Sequence, residues 1–195
     1  MHRDEFIYNV HYDDAKYTIN YPVKFGTLNG KTKYIFSPKQ PEMIINVGFP
    51  ASGKSHYTLT NISPHHYVYI NQDMLKTANK CLKLANDSLK IGKSVVIDNT
   101  NITKNHRNAF IELAKRYNIS VRCLLFNADI NVCIHNSYFR NSVTNGSVKV
   151  IPKIVYNMMN KKYEKPELSE GFSVIHEVDF VLDADCKKEY EMYYF

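Results

Sequence analysis

The sequence lacks the features that would place this chain among secreted, membrane-spanning or zinc-stabilised proteins. No two cysteines have C-x-x-C spacing, which argues against a zinc site or a disulfide framework and favours a reducing compartment. No apolar run reaches the roughly 18 residues that mark a transmembrane helix, and the opening MHRDEFIYNV has no apolar signal core. We therefore expect a soluble, intracellular protein with no membrane contact. The cysteines are Cys81, Cys123, Cys133 and Cys186.

Internal repeats and low-complexity tracts are absent as well, and the 195 residues suit one compact α/β domain with a short extension. A hydrophobic content of 44% is enough for a buried core. The formal net charge is +6 and the isoelectric point is about 9.0. A positive excess favours an anionic partner, nucleic acid above all, although charge alone fits a merely basic surface equally well.

Hydrophobic periodicity divides the chain into three parts. Residues 1–41 carry short tyrosine-rich alternations around Asn29-Gly30, which predict a small β-hairpin extension. Residues 42–183 alternate β-branched runs with helical patterns, which predicts a doubly wound, mostly parallel sheet with helices on both faces. Residues 184–195 form an aromatic tail whose structure the pattern leaves open. The predicted strands are 43–47, 66–70, 94–97, 121–126 and an edge strand within 173–182; the predicted helices are 54–61, 74–91, 105–118, 130–143 and 152–162.

Residues 48–55, GFPASGKS, match the phosphate-loop pattern G-x-x-x-x-G-K-[ST] in full, between a predicted strand and a predicted helix. Gly48 and Gly53 allow backbone angles and close approaches that a Cβ would block. Backbone N–H groups of such a loop bind phosphate oxygens, together with the amino end of the next helix. Lys54 can reach the β- and γ-phosphates, and the Ser55 hydroxyl can bind Mg²⁺. The predicted phosphate-binding residues are Gly48, Phe49, Pro50, Ala51, Ser52, Gly53, Lys54 and Ser55.

The nucleotide that this loop predicts is ATP, because no guanine-reading N/T-K-x-D stretch is present.

Two aspartates follow the next two predicted strands, Asp73 in INQD and Asp98 in VIDNTN. Because ligands lie at the carboxyl ends of parallel strands, we expect both carboxylates near the mouth of the phosphate loop.

Phosphoryl transfer needs one carboxylate to accept the proton of the attacking hydroxyl and another to organise Mg²⁺. Asp98, on an apolar strand, suits the metal role and Asp73 that of the base. The residues alone also permit the exchange of these two roles, and each aspartate could instead cap the following helix.

Six segments follow one another along the chain: VGFPASGKS (47–55), YVYINQD (67–73), GKSVVIDNTN (92–101), RCLLF (122–126), HNSYFR (135–140) and EGFSVI (170–175). In order and spacing they resemble the kinase half of the polynucleotide kinase/3′-phosphatase family. The similarity covers about residues 43–182. It implies a P-loop kinase that transfers the γ-phosphate of ATP, with Mg²⁺, to the 5′-hydroxyl end of DNA or RNA.

The resemblance also implies roles for individual residues. Asp73 becomes the general base, and Lys54 and Ser55 take the phosphate and metal roles. Asp98 supports the metal site and the phosphate loop. Arg140 resembles a lid arginine that clamps the ATP phosphates and stabilises the charge that develops during transfer.

The chain departs from the family pattern at several positions. Gln72 stands where many relatives have arginine, and Tyr138 stands where a further basic residue is expected, which affects substrate affinity and lid electrostatics more than reaction type. Arg107 matches an arginine of the family whose role is undefined, and an ordinary surface helix position is the alternative.

A phosphatase would need an Asp-x-Asp-Gly-Thr type loop. Residues 183–185, DAD, lack the Gly-Thr, so 3′-phosphatase activity is not predicted.

Three functions stay open at this stage. The whole set of motifs favours a 5′-hydroxyl polynucleotide kinase of nucleic-acid end repair. A P-loop kinase for a small metabolite or nucleoside would share the sheet and the loop but would not explain the basic excess. A nucleotide- or nucleic-acid-binding module without turnover would be expected to alter Lys54 or Asp73, and both are intact. Neither the choice between DNA and RNA nor the oligomeric state can be predicted.

Overall fold

A computed structural model describes residues 34–182 and Tyr190; the predicted hairpin at Asn29-Gly30 and the sequence 183–185 lie outside the described residues. Among those described, no helix has the length and apolar composition that crossing a bilayer requires. The strands are β1 Glu42–Val47, β2 Val68–Asn71, β3 Val95–Asp98, β4 Ser120–Phe126 and β5 Val174–Val178. The α-helices are α1 Lys54–Tyr57, α2 Gln72–Leu75, α3 Ala78–Lys90, α4 Lys104–Arg116, α5 Ile130–Val143 and α6 Lys153–Lys162. A π-helix Thr58–Ile62 and a 3₁₀ turn Ser63–His65 continue α1, and another 3₁₀ turn spans Leu168–Glu170.

The five described strands form one parallel sheet in the order β2-β3-β1-β4-β5. β1 is central and pairs with β4 along its whole length, from Glu42 opposite Ser120 to Val47 opposite Leu125. Every residue of β1 is buried. Its largely apolar run, EMIINV, fits this place, because a parallel strand covered on both faces does not alternate polar with apolar residues. The predicted doubly wound parallel sheet is confirmed, and β5 is the edge strand that the sequence indicated.

Helices cover both faces of the sheet. On one face, α3 and α4 pack against the sheet, and Phe110 and Met43 belong to the same core. On the other face, Tyr57 and Ile44 belong to a second core. A third cluster joins α5 and α6 around Tyr156 and includes Phe49 of the loop after β1. We call α5, α6 and their connection, residues 130–162, the lid.

One predicted helix and one predicted strand have wrong boundaries, in each case because a residue with a left-handed backbone conformation interrupts the segment. The helix predicted over 74–91 is two helices, because Lys76 has a φ of 70° and the Thr77 hydroxyl then accepts the N–H of Lys80 as the cap of α3. The strand predicted from residue 66 begins at Val68, since His66 has a φ of 63° and ends the preceding 3₁₀ turn. The other predicted helices agree closely with the structure.

A buried ion pair joins β1 to β4 at the end of β1 opposite the phosphate loop. Arg122 donates from Nε to Glu42 Oε2 at 2.9 Å and from Nη2 to Oε1 at 3.0 Å, and both side chains are only 2% exposed. Glu42 Oε1 also accepts the Tyr67 hydroxyl at 2.5 Å, and Arg122 Nη1 donates to the Ser37 carbonyl at 2.9 Å. Each guanidinium nitrogen and each carboxylate oxygen therefore has a partner, and the segment before β1 is tied to the sheet.

Replacing Arg122 by methionine should lower the free energy of unfolding by about 3–5 kcal/mol, because it leaves the Glu42 carboxylate buried without its counter-ion. The matched control is Lys115→Met in the exposed pair with Glu112, which should cost less than about 1 kcal/mol. Urea denaturation followed by circular dichroism measures both values. Equally small losses in the two variants would contradict this account of the pair.

Candidate functional site

The phosphate loop leaves β1 after Val47 and enters α1 at Lys54, and both of its glycines are needed for geometric reasons. A Cβ at Gly48 would lie 2.8 Å from the carbonyl oxygen of Phe126, so only glycine allows this close approach to β4. Gly53 has a φ of 92°, in the left-handed region that residues with a Cβ rarely adopt.

The lid holds the crest of the phosphate loop, Pro50 and Ala51. Asn136 of α5 donates from Nδ2 to the Ala51 carbonyl at 2.9 Å. The Tyr156 hydroxyl of α6 lies 3.1 Å from the Cys133 carbonyl and 3.4 Å from the Pro50 carbonyl, and its one proton is shared between them. Phe49 packs against the lid cluster. Carbonyl groups that are bound in this way fix the peptide planes at the crest.

The amine of Lys54 is buried inside the loop, with 7% of the residue exposed. Its Nζ donates to the carbonyl oxygens of Gly48 at 3.0 Å and Phe49 at 2.5 Å, and to Ser52 Oγ at 3.2 Å. The loop therefore orients this amine within its own concavity.

The other predicted charged residues lie close enough to act on the same amine. Burial lowers the pKa of Lys54 from 10.5 to about 8. The negative charges of Asp98 and Asp73 oppose this decrease in pKa, whereas the positive charge of Arg140 adds to it. The fold thus brings Lys54, Asp73, Asp98 and Arg140 to one edge of the sheet.

The carboxylate of Asp98 is 2% exposed and accepts hydrogen bonds from two neighbouring strands. Its Oδ2 accepts the Tyr69 hydroxyl at 2.5 Å and Asn71 Nδ2 at 3.3 Å, and its Oδ1 accepts Asn46 Nδ2 at 3.3 Å. The motifs did not predict these partners. The signal that could have found them is the presence of polar side chains within otherwise apolar strands.

The loop after β3, residues 99–101, is attached directly to the phosphate loop. The Thr100 carbonyl accepts the N–H of Gly48 at 3.0 Å, and Asn101 donates from Nδ2 to the Asn46 carbonyl at 2.8 Å. The side chains and backbone of this loop therefore set where β1 ends and where the phosphate loop begins.

Asp73 differs from Asp98 in its surroundings. It is exposed in α2 and makes no hydrogen bond or ion pair with any residue in the described part of the chain. The capping role is taken by Asn71, whose Oδ1 accepts the N–H of Met74 at 3.2 Å. The preceding Gln72 is held by Asn99, whose Nδ2 donates to its Oε1 at 2.9 Å. Asp73 is therefore available to accept a proton.

A cavity of about 440 Å³ opens beside Lys54 and Ser55, and the exposed Arg140 lines it. An aromatic and apolar wall next to a phosphate loop suits a nucleobase. Motif reasoning missed this wall, and the signal for it was the aromatic residues after β5 and in the tail. The wall residues are Phe139, Phe180, Val181, Leu182 and Tyr190.

Arg107 is fully buried, so the alternative of a surface helix position is wrong. Its Nε and Nη2 each donate to the Glu170 carboxylate at 2.7 Å. Its Nη1 donates to the carbonyls of Asn101 and Glu164, each at 3.0 Å. Arg107 therefore supports the 99–101 loop and anchors the chain that follows the lid.

The side chains that the sequence suggests for Mg²⁺, Ser55 and Asp98, both carry oxygen atoms. The Tyr69 hydroxyl donates to Asp98 Oδ2 at 2.5 Å, and Ser55 lies near the same hydroxyl. Mg²⁺ prefers oxygen ligands and takes few of them from the protein, because it retains several waters. The donors of Ser55 and Asp98 fit this ion.

The sequence matches the AAA domain family over residues 43–166, a range that contains the phosphate loop, Asp73, Asp98 and Arg140. The chain belongs to this family.

A bifunctional polynucleotide phosphatase/kinase of Schizosaccharomyces pombe is 39% identical over 150 residues, 77% of this chain and 35% of its own length. A protein of Acanthamoeba polyphaga mimivirus, provisionally named for the same two activities, is 38% identical over 151 residues, 77% of this chain and 36% of its own.

The chain therefore spans about a third of the length of the curated relatives that it matches. Among solved structures, Chaetomium thermophilum Kti12 in complex with ADP-AlF3 superposes with a TM-score of 0.54 at 15% identity, covering 76% of this chain and 94% of that one. This likeness, together with the five-stranded parallel sheet, confirms the predicted P-loop kinase fold.

Binding of ATP at about pH 8.5 should take up protons, because Lys54 is partly neutral there, at a pKa of about 8, and phosphate anions favour its charged form. The affinity for ATP should accordingly fall as the pH rises above about 8. Isothermal titration calorimetry in two buffers of different protonation enthalpy measures this uptake. Lys54→Arg stays charged throughout the range, so its titration should not depend on the buffer. Wild-type binding without proton uptake would contradict the shifted pKa.

Proposed function

We propose that the chain is an ATP-dependent 5′-hydroxyl polynucleotide kinase that transfers the γ-phosphate of ATP to 5′ ends of DNA or RNA in nucleic-acid end repair. The observation that carries the proposal is the pair of differently placed carboxylates beside one phosphate loop, the exposed Asp73 and the buried Asp98. The similarity to two proteins named for polynucleotide kinase activity supports the substrate class.

In this reaction Asp73 accepts the proton of the 5′-hydroxyl as its oxygen bonds to the γ-phosphorus. The bond between that phosphorus and the β,γ-bridging oxygen breaks, and ADP leaves with the bonding electrons. Lys54 binds the β- and γ-phosphates, and Arg140, which lines the cavity, stabilises the charge on the transferring group. Mg²⁺ held by Ser55 and Asp98 supplies further positive charge when it is bound. Positioning and charge stabilisation thus supply most of the catalysis.

The surroundings of the two aspartates support this assignment over the reverse. The buried carboxylate of Asp98 already accepts hydrogen bonds from Tyr69, Asn71 and Asn46, which orient it but also occupy it. Asp73 is exposed and accepts no hydrogen bond from the described residues. An incoming hydroxyl can approach Asp73 without displacing a protein contact, as a general base requires.

The open approach to Asp73 favours a polymer end over a small metabolite. Met74, the next residue, is 70% exposed, and Lys76 at the end of α2 is exposed as well. A kinase for a small molecule would be expected to enclose the acceptor in a pocket. The net charge of +6 also favours a polyanionic substrate.

Asp73→Asn should lower kcat for a 5′-hydroxyl oligonucleotide by about 10²-fold or more, because a positioned general base contributes about 10²- to 10⁴-fold. Its affinity for ATP should stay unchanged. Asp98→Asn should instead raise the Mg²⁺ concentration needed for half-maximal rate. Transfer of label from γ-labelled ATP to DNA and RNA oligonucleotides measures each rate.

The matched control is Asp87→Asn, an exposed aspartate in the carboxyl-terminal half of α3, which should behave as wild type. Wild-type protein that binds ATP but labels neither DNA nor RNA ends would contradict the proposed function. A loss of kcat in Asp98→Asn that excess Mg²⁺ does not restore, with Asp73→Asn active, would reverse the two roles.

A further inference from the structure

Tyr190 is buried, with 1% exposed, between the lid and the chain that follows β5. Its ring centroid lies 4.3 Å from that of His135 and 5.2 Å from that of Phe139, which are one turn apart on α5. It lies 6.2 Å from the ring of Phe180, beyond the end of β5. Burial lowers the pKa of His135 to about 4, so the imidazole is neutral near pH 7 and packs as an aromatic ring. Tyr190 therefore joins two elements that are separate in sequence.

The hydroxyl of Tyr190 extends this contact to the phosphate loop. It donates to Asn136 Oδ1 at 2.6 Å, and Asn136 Nδ2 donates to the Ala51 carbonyl at 2.9 Å. Asn136 is 9% exposed, so few alternative partners are available to its amide. With one end of the amide accepting from Tyr190, the other end is oriented to donate to the loop.

Ala51 is the residue of the loop that most needs such support. It has a φ of 58°, a left-handed conformation that costs a residue with a Cβ about 1–2 kcal/mol. A hydrogen bond to its carbonyl stabilises that conformation. The conformation in turn sets the direction of the peptide groups on either side, which form the crest of the phosphate-binding concavity.

We propose that Tyr190 is a positioning residue of the nucleotide site: through Asn136 it holds Ala51 in the conformation that binds the phosphates of ATP. The functional domain then extends past residue 183, at least to Tyr190. The inference rests on the proposed function only in requiring that the loop binds ATP. The ring of Tyr190 also lines the 440 Å³ cavity, so the hydroxyl and the ring contribute separately.

Tyr190→Phe tests the hydroxyl alone, because it keeps the ring. Its Kd for ATP with Mg²⁺, measured by calorimetry without oligonucleotide, should rise about 3- to 10-fold, the size expected of one buried hydrogen bond. The KM for the oligonucleotide should not change. In an Asn136→Ala background, Tyr190→Phe should cause little further loss, because both variants interrupt the same path.

The matched control is Tyr117→Phe, which removes a similar hydrogen bond, from the Tyr117 hydroxyl to Asn86 Oδ1 at 2.8 Å, between α4 and α3. Both tyrosine variants should lower Tm by a similar amount, and only Tyr190→Phe should weaken ATP binding. An unchanged Kd in Tyr190→Phe, or effects that add fully to those of Asn136→Ala, would overturn the inference. Protein that binds ATP but labels no 5′ end would overturn the proposed kinase and leave this binding test intact.

Discussion

A phosphate loop binds anions through its backbone, so the whole site depends on how that backbone is held. In this chain the N–H of Gly48 donates to the Thr100 carbonyl at 3.0 Å, and Asn101 donates to the carbonyl of Asn46 at 2.8 Å. These two bonds attach the end of β1 to the loop that follows Asp98. The carboxylate and the phosphate-binding backbone therefore both depend on the paired strands β1 and β3.

The same arrangement explains the contrast between the charged groups. Burial stabilises the orientation of Asp98 and lowers the pKa of Lys54, since both groups are removed from water and surrounded by fixed dipoles. Asp73 stays outside, on the short helix between β2 and α3. A phosphoryl-transfer site needs both conditions, because the phosphates require a preorganised environment and the acceptor hydroxyl requires an accessible base.

The sequence predicted those parts of the site that depend on local pattern. The phosphate loop, Asp73 and Asp98 each follow directly from a strand, and a parallel sheet brings strand ends together. Contacts between distant segments could not be read in this way: Arg107 meets Glu170 at a separation of 63 residues, and Tyr190 meets Asn136 at a separation of 54. The break at Lys76 was missed because lysine carries no local signal for a positive φ.

In the proposed reaction, Asp73 accepts the proton of a polynucleotide 5′-hydroxyl beside this phosphate loop. A crystal structure with a non-hydrolysable ATP analogue, Mg²⁺ and a 5′-hydroxyl oligonucleotide tests it most directly. The 5′ oxygen should lie within about 2.6–3.2 Å of a carboxylate oxygen of Asp73 and face the γ-phosphate. A 5′ end bound away from Asp73, with the nucleotide seated in the loop, would contradict it.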